Sequence, residues 1–363
     1  MVRSRPVHPK KVARFVEAAR LPVLLLGVGL VFLGFNGPWS AWTGKFGFVS
    51  HAAPPEKAYR VEHRVEAMAT TYQMVAYGSD SNRLRAAVEQ AAEEVQRLDL
   101  VLSNYLPASD LSLVNRLASR QPVPVSAELF QLLSACVEYS RQSEGSFDIS
   151  VGPLMKVWGF YKGSGHLPHR SEVRVALART GYKHLVLDSA NRTVRFDRDG
   201  VELDPGGIGK GYAVDRMIAV LKENGVTSAL VSAGTSSIYA LGNPPGDKGW
   251  KIEIRDPRDA KKVAATVELK DQSVSTSGNY EKFFYAEGKL HSHIMDPRTG
   301  FPAEGVIQVS VVAPRTIDTE AWTKPYYING RAWTARHKPP GFRVLMCEDK
   351  PVAAGRNACE WLP

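Results

Sequence analysis

Residues 203–216 read LDPGGIGKGYAVDR, and this stretch organises the rest of the chain. Gly206, Gly207 and Gly209 precede a predicted helix, so the backbone there can take positive φ and lie close against a ligand. Phosphate fits such a place. Lys210 would add a positive charge beside the exposed N–H groups of the helix start, and Asp204 offers a carboxylate on the strand side of the turn. A P-loop is excluded, because Asp204 and Gly211 stand where it needs glycine and Ser or Thr. A dinucleotide fingerprint is excluded as well: Gly207-Ile208-Gly209-Lys210-Gly211 is one residue short of G-x-G-x-x-G. Taken alone, the stretch is equally well an ordinary tight strand-to-helix turn, so other segments must decide.

Residues 1–20 carry six Lys or Arg against one Glu, and Leu21 to Phe35 follow as an apolar run of fifteen residues. That pattern predicts an export signal. Fifteen is at the upper end for a signal-peptide core and short of the roughly 20 residues that span a bilayer comfortably, so cleavage and retention both stay open. Ser50-His51-Ala52 is a weak cleavage candidate. The expectation is an exported chain whose body lies on the periplasmic side of the inner membrane, with residues 21–35 removed or kept as its anchor. Residues 1–53 hold seven basic side chains and one acidic, so only +3 of the +9 net charge falls on the body. A nucleic-acid partner is therefore not expected.

With 44% hydrophobic residues, the body has the composition of a globular domain, expected over residues 54–363. Strands are predicted as a pair around Tyr59 to Tyr77, then at Leu185 to Leu187, Thr193 to Phe196, Ala229 to Ser232, Trp250 to Ile254, Ala264 to Leu269 and Val306 to Val312. Helices are predicted after Asp80 or Ser81, after Ser126, between Ser171 and Gly181, and from Gly211 to about Glu223. No regular βαβ period connects them, which favours an α+β fold. Cys347 and Cys359, in the polar tail of an exported chain, are expected to form a disulfide, with Cys136 reduced and buried on a helix face.

Loops rich in small hydroxyl residues suggest the lining of an anion or cofactor cleft: Ser103-Asn104-Tyr105, Gly145 to Asp148, Ser232 to Ser237 and Ser275 to Gly278. His291 and His293 share one strand face but have no nearby third ligand, which argues against zinc. Asp296 to Gly300 can be read as a reverse turn.

Together, MATTY at 68–72, SNYLPASDLSLVNR at 103–116, GSFDISVGPL at 145–154, LDPGGIGKGYAVDR at 203–216, TSGNYEKFF at 276–284 and HIMDPRTGFP at 293–302 resemble the FAD:protein FMN transferases of the ApbE family. The resemblance implies an ApbE-like, T-fold-related α+β flavin transferase fold. It also implies Mg²⁺-dependent transfer of the FMN half of FAD to a Thr hydroxyl of an exported or membrane-bound acceptor flavoprotein, releasing AMP. By position, Met68, Tyr105, Asp148, Asp204, Lys210, Thr235 and Ile294 correspond to FAD contacts and His293 to the histidine beside the reacting phosphate. The carbonyl of Gly207 corresponds to a metal ligand. Rival expectations are hydrolysis of FAD to FMN and AMP, and flavin binding without chemistry.

Two departures stand out. Ala233-Gly234-Thr235 replaces the family's Gly-Gly-Asp or Gly-Gly-Asn. The last family motif sets a metal-binding Asp four residues before a Thr, whereas here Asp318 and Thr323 are five apart. Asp318 and Thr323 are the expected pair of further metal ligands, with Glu320 the competing carboxylate.

Overall fold

Strand pairing, rather than any one helix, sets the architecture. The computed structural model describes residues 58–161, 163–349 and 359–363. The expected signal or anchor segment lies outside them, and no described helix is long and apolar enough to cross a membrane.

The main sheet has eight strands: β1 (Tyr59–Ala67), β2 (Thr70–Gly78), β3 (Ser228–Ala233), β4 (Ser237–Leu241), β5 (Gln272–Gly278), β6 (Val306–Ala313), β7 (Arg343–Glu348) and β8 (Cys359–Trp361). They lie side by side in that order, each pair antiparallel. The registers Ala67↔Thr70, Ala233↔Ser237 and Ser275↔Ser237 bring the turns at 68–69 and 234–236 and the end of β5 to one edge of the sheet.

Three helices cover one face: α1 (Ser81–Leu102), α2 (Gly209–Glu223) and α3 (Thr316–His337). In α1 the Asp80 carboxylate accepts from the N–H groups of Asn82 and Arg83, as an N-cap should. Its apolar stripe, Leu84, Ala87, Val88, Ala91, Val95 and Leu98, is buried with Met217, Ile218 and Leu221 of α2 against Tyr72, Met74 and Val231 of the sheet. The opposite face is closed by a hairpin, Trp250–Arg255 with Val263–Leu269, whose Trp250, Ile252 and Val267 pack on Val75, Leu230 and Val274. Helices on one face of an antiparallel sheet make this an α+β fold, in agreement with the sequence.

Helix α3 docks on β5 through hydroxyl groups as well as apolar contact. Ser273 and Ser275 meet the Thr319 hydroxyl at 3.0 and 2.7 Å, and Ser277 meets Thr323 at 2.8 Å. Ser275 to Gly278, read from the sequence as a cleft loop, belongs to strand β5. The helix expected between Ser171 and Gly181 runs Arg170–Leu177, because His169 caps it with an imidazole nitrogen while Glu172 reaches back to the His169 N–H. Cys347 and Cys359 are paired across β7 and β8, and Cys136 is a buried free thiol, both as expected.

Candidate functional site

The glycine stretch begins with one turn of 3₁₀ helix, Pro205–Gly207, and passes at Gly209 into α2. Asp204 caps that turn by accepting from the Gly206 N–H at 2.8 Å. Its carboxyl is held above the usual range, chiefly by burial and against the pull of hydrogen bonds from Gly206 and Asn104 and the charges of Lys282 and Lys210. Gly211 has to be glycine for steric reasons. A Cβ there would lie 2.6 Å from the Thr316 carbonyl oxygen and 2.9 Å from Glu320 Oε2, so α2 and α3 cross almost backbone to backbone.

Other segments converge on this loop. Met68 and Ala69 form a turn with φ of 51° and 56°. Two non-glycine residues in the left-handed region are a local strain of the kind kept at functional positions. The methyl group of Met68 lies 3.0 Å from where a Gly209 Cβ would be, and its sulfur accepts from the Tyr72 hydroxyl. Phe147 and Lys324 flank Gly207. Tyr105 stacks on Tyr161 and donates to its carbonyl at 2.7 Å, close enough to Asp204 to feel its charge. Thr235 is exposed in the adjoining β3–β4 turn, where Gly234 takes a φ of 54°.

His293 completes the arrangement. Its N–H and its Nδ1 both meet the Lys282 carbonyl, at 3.0 and 3.1 Å. A proton on Nδ1 therefore satisfies that carbonyl and leaves Nε2 with its lone pair. The ring is half-buried, and its pKa is lowered to about 4, by desolvation first and then by the ammonium groups of Lys210, Lys282 and Lys324. Three lysines thus converge on one imidazole, a concentration of positive charge suited to a pyrophosphate.

Two expected FAD contacts have internal roles. Asp148 is buried, with one oxygen accepting from the Ser150 N–H and hydroxyl and the other from the Tyr182 N–H. It pins the loop that presents Phe147. Ile294 is a core residue whose carbonyl accepts from Ala303.

The expected metal set is not assembled. Asp318 is clamped by the Arg315 guanidinium through two 2.7 Å bonds and accepts from the Tyr139 hydroxyl. Residues five apart are about 140° apart around a helix, so Asp318 and Thr323 do not share a face. The Thr323 hydroxyl is itself taken up by the Glu320 carbonyl and Ser277. The carboxylate that reaches the glycine loop is Glu320, buried, with one oxygen on the Gly211 N–H and the other 3.1 Å from Lys210 Nζ. Lys324, one helical turn on, puts its Nζ 2.9 Å from the Glu320 carbonyl, and its ε-carbon lies 3.6 Å from where a Gly207 Cβ would be. Its pKa is lowered to about 8, mainly by burial. Mg²⁺ requires near-octahedral oxygen ligands at about 2.0–2.1 Å. The residues beside Gly207 do not fit it, since the oxygens of Asp318, Glu320 and Thr323 are already paired and an ammonium stands among them. Among the described residues, no group of three or more His, Cys, Asp or Glu could hold a metal.

Lys282 and Lys324 were not picked out from the sequence as site residues, whereas Phe147 was read as the aromatic of the 145–148 loop.

The chain is similar to known proteins over most of its length. The chain is 35% identical over 296 residues to the FAD:protein FMN transferase of Treponema pallidum, covering 76% of this chain and 82% of that protein. It is 30% identical over 261 residues to that of Salmonella typhimurium, covering 70% and 74%. Among solved structures, the ApbE protein of Thermotoga maritima superposes with a TM-score of 0.76 at 29% identity, covering 84% of this chain and 97% of that one. The apo flavinyl transferase ApbE of Pseudomonas stutzeri gives 0.71 at 28% identity, covering 84% and 94%. The family model described as ApbE family matches residues 68–345. With that match spanning the strained turn, the glycine loop, His293 and the main sheet from β2 to the start of β7, the chain belongs to the ApbE family.

Proposed function

We propose that the protein is a FAD:protein FMN transferase that moves the FMN half of FAD onto a Thr hydroxyl of an exported or membrane-bound flavoprotein and releases AMP. The observation that carries this reading is the glycine loop at the start of α2 with Lys210 and Lys324 held beside it on Glu320, their charges and that of Lys282 acting on His293. The names of the relatives support the same activity.

In this reading the lysines and the N–H groups of the helix start hold the pyrophosphate, and the Asp204 loop with Met68 and Tyr105 holds the rest of FAD. The acceptor Thr oxygen attacks the FMN-side phosphorus, a P–O bond forms, and the bond to the AMP phosphate breaks. His293 Nε2 takes the hydroxyl proton, which its neutral state permits at pH 7. The Mg²⁺ implied by the sequence resemblance has no part here, because the chain's own residues do not fit it.

The protein is further proposed to act outside the cytoplasm. The basic, apolar N-terminus and the Cys347–Cys359 disulfide support that placement.

Co-expression with candidate acceptor domains and intact-mass spectrometry tests the activity. A gain of one FMN less one water, mapped to a Thr, is the expected result. Release of free FMN without labelling would make the protein a FAD pyrophosphatase, and neither product would leave a flavin-binding protein.

A further inference from the structure

A carboxylate, a peptide carbonyl and a glycine loop beside a phosphate site are ordinarily completed by a divalent cation, yet this chain fills the place with amines. Glu320 faces the Gly211 N–H and the Lys210 ammonium, at 3.1 Å for the latter. The Glu320 carbonyl, which could have been a cation ligand, accepts from Lys324 Nζ at 2.9 Å. The stem of Lys324 lies over Gly207, so its charge sits between the glycine loop and α3. The only nearby carboxylate on α3 besides Glu320 is turned away, its oxygens spent on Arg315 and Tyr139. Both ammonium groups act on His293.

We propose that Lys324, together with Lys210, supplies the positive charge that a divalent cation would otherwise bring to the FAD pyrophosphate, so that FAD binding and flavin transfer proceed without a divalent metal. This rests on the transferase reading. An ammonium is a compact charge on a flexible stem and can follow the phosphate as charge builds on the leaving AMP oxygen. The Glu320 carbonyl gives the Lys324 Nζ a resting partner without a hydrated ion. No bond to the chain is made or broken, and the cation's role becomes one of charge alone.

The test compares FAD affinity, followed by quenching of flavin fluorescence, in EDTA and in excess Mg²⁺. The purified wild-type protein is expected to bind FAD equally in both, to within about twofold. Lys324→Met should weaken binding by roughly 10–100-fold, the loss of one charge-assisted hydrogen bond, and Lys324→Arg should restore much of it. Mn²⁺ titration followed by electron paramagnetic resonance gives a readout independent of activity and of any variant. No stoichiometric Mn²⁺ site is expected in the wild type. Circular dichroism confirms that the variants fold.

FAD binding that needs Mg²⁺, or a stoichiometric Mn²⁺ site in the wild type, would overturn the proposal and leave the transferase reading standing. Absence of FAD binding in both buffers would overturn both. Labelling of an acceptor in EDTA would support both.

Discussion

His293 has one ring nitrogen committed to the Lys282 carbonyl and the other left for chemistry, so its neutral form is the working one. Replacing it with Ala should lower flavin transfer by about 10²–10⁴-fold, the usual cost of losing general acid–base help, with FAD affinity little changed. A stopped-time labelling assay with a parallel binding titration checks both parts. Because its pKa is lowered to about 4, the transfer rate due to His293 should be level from pH 7 to pH 5 and fall only as the pH approaches 4. A rate that halves near pH 6.5 would contradict this environment for the ring. The sign for stability follows from the same shift. Below pH 6.5, the ordinary histidine value, the unfolded chain takes up a proton that folded His293 does not. The wild type should therefore lose melting temperature between pH 6.5 and 4 more steeply than His293→Gln, as thermal scans across that range would show.

Helix α3 has no side-chain cap from its own N-cap residue, Arg315. Asp215 of α2 supplies it from outside, accepting from the N–H groups of Thr316 and Ile317 at 2.8 and 2.9 Å. A carboxylate on the first turn satisfies two orphan donors and complements the helix dipole. Asp215→Ala should therefore cost about 1–2 kcal/mol, read by urea unfolding, and loosen the element that carries Glu320 and Lys324. Gly211→Ala should be worse for function than for folding alone, because α2 and α3 must separate to admit the methyl group. Its expected signature is weaker FAD binding together with a lower melting temperature. Neither contact is visible as a local pattern. The Asp215 cap spans 101 residues of sequence, and no spacing rule joins positions so far apart.

Among the described residues, the main sheet places its eight strands side by side in chain order and is closed at its far edge by a disulfide between β7 and β8. A crosslink over twelve residues limits the unfolded chain, so reducing it, or making Cys347→Ser with Cys359→Ser, should cost about 3 kcal/mol. Denaturant curves with and without reductant measure that loss. At this scale much was legible in the sequence. Long amphipathic runs such as Leu84 to Leu98 identify helices because burial repeats with the helical period, and alternating or β-branched runs such as Val306 to Val312 identify strands. The α+β class follows from the absence of a βαβ period. The short helix Asp110–Leu117 was not foreseen, since only Leu111 and Val114 are buried and two positions make no period. Composition and local pattern alone thus determined the class of fold and the pairing of the tail cysteines, whereas the glycine loop taken alone was equally an ordinary turn and the place of His293 came only with the family resemblance. Tertiary structure alone decided which carboxylate serves that site. Asp318 and Glu320 are two residues apart on one helix and alike in charge, and only the crossing of α2 and α3 turns Glu320 and Lys324 toward Gly207 and Asp318 toward Arg315. Helical facing relative to a distant backbone is a property of packing, and a linear sequence does not carry it.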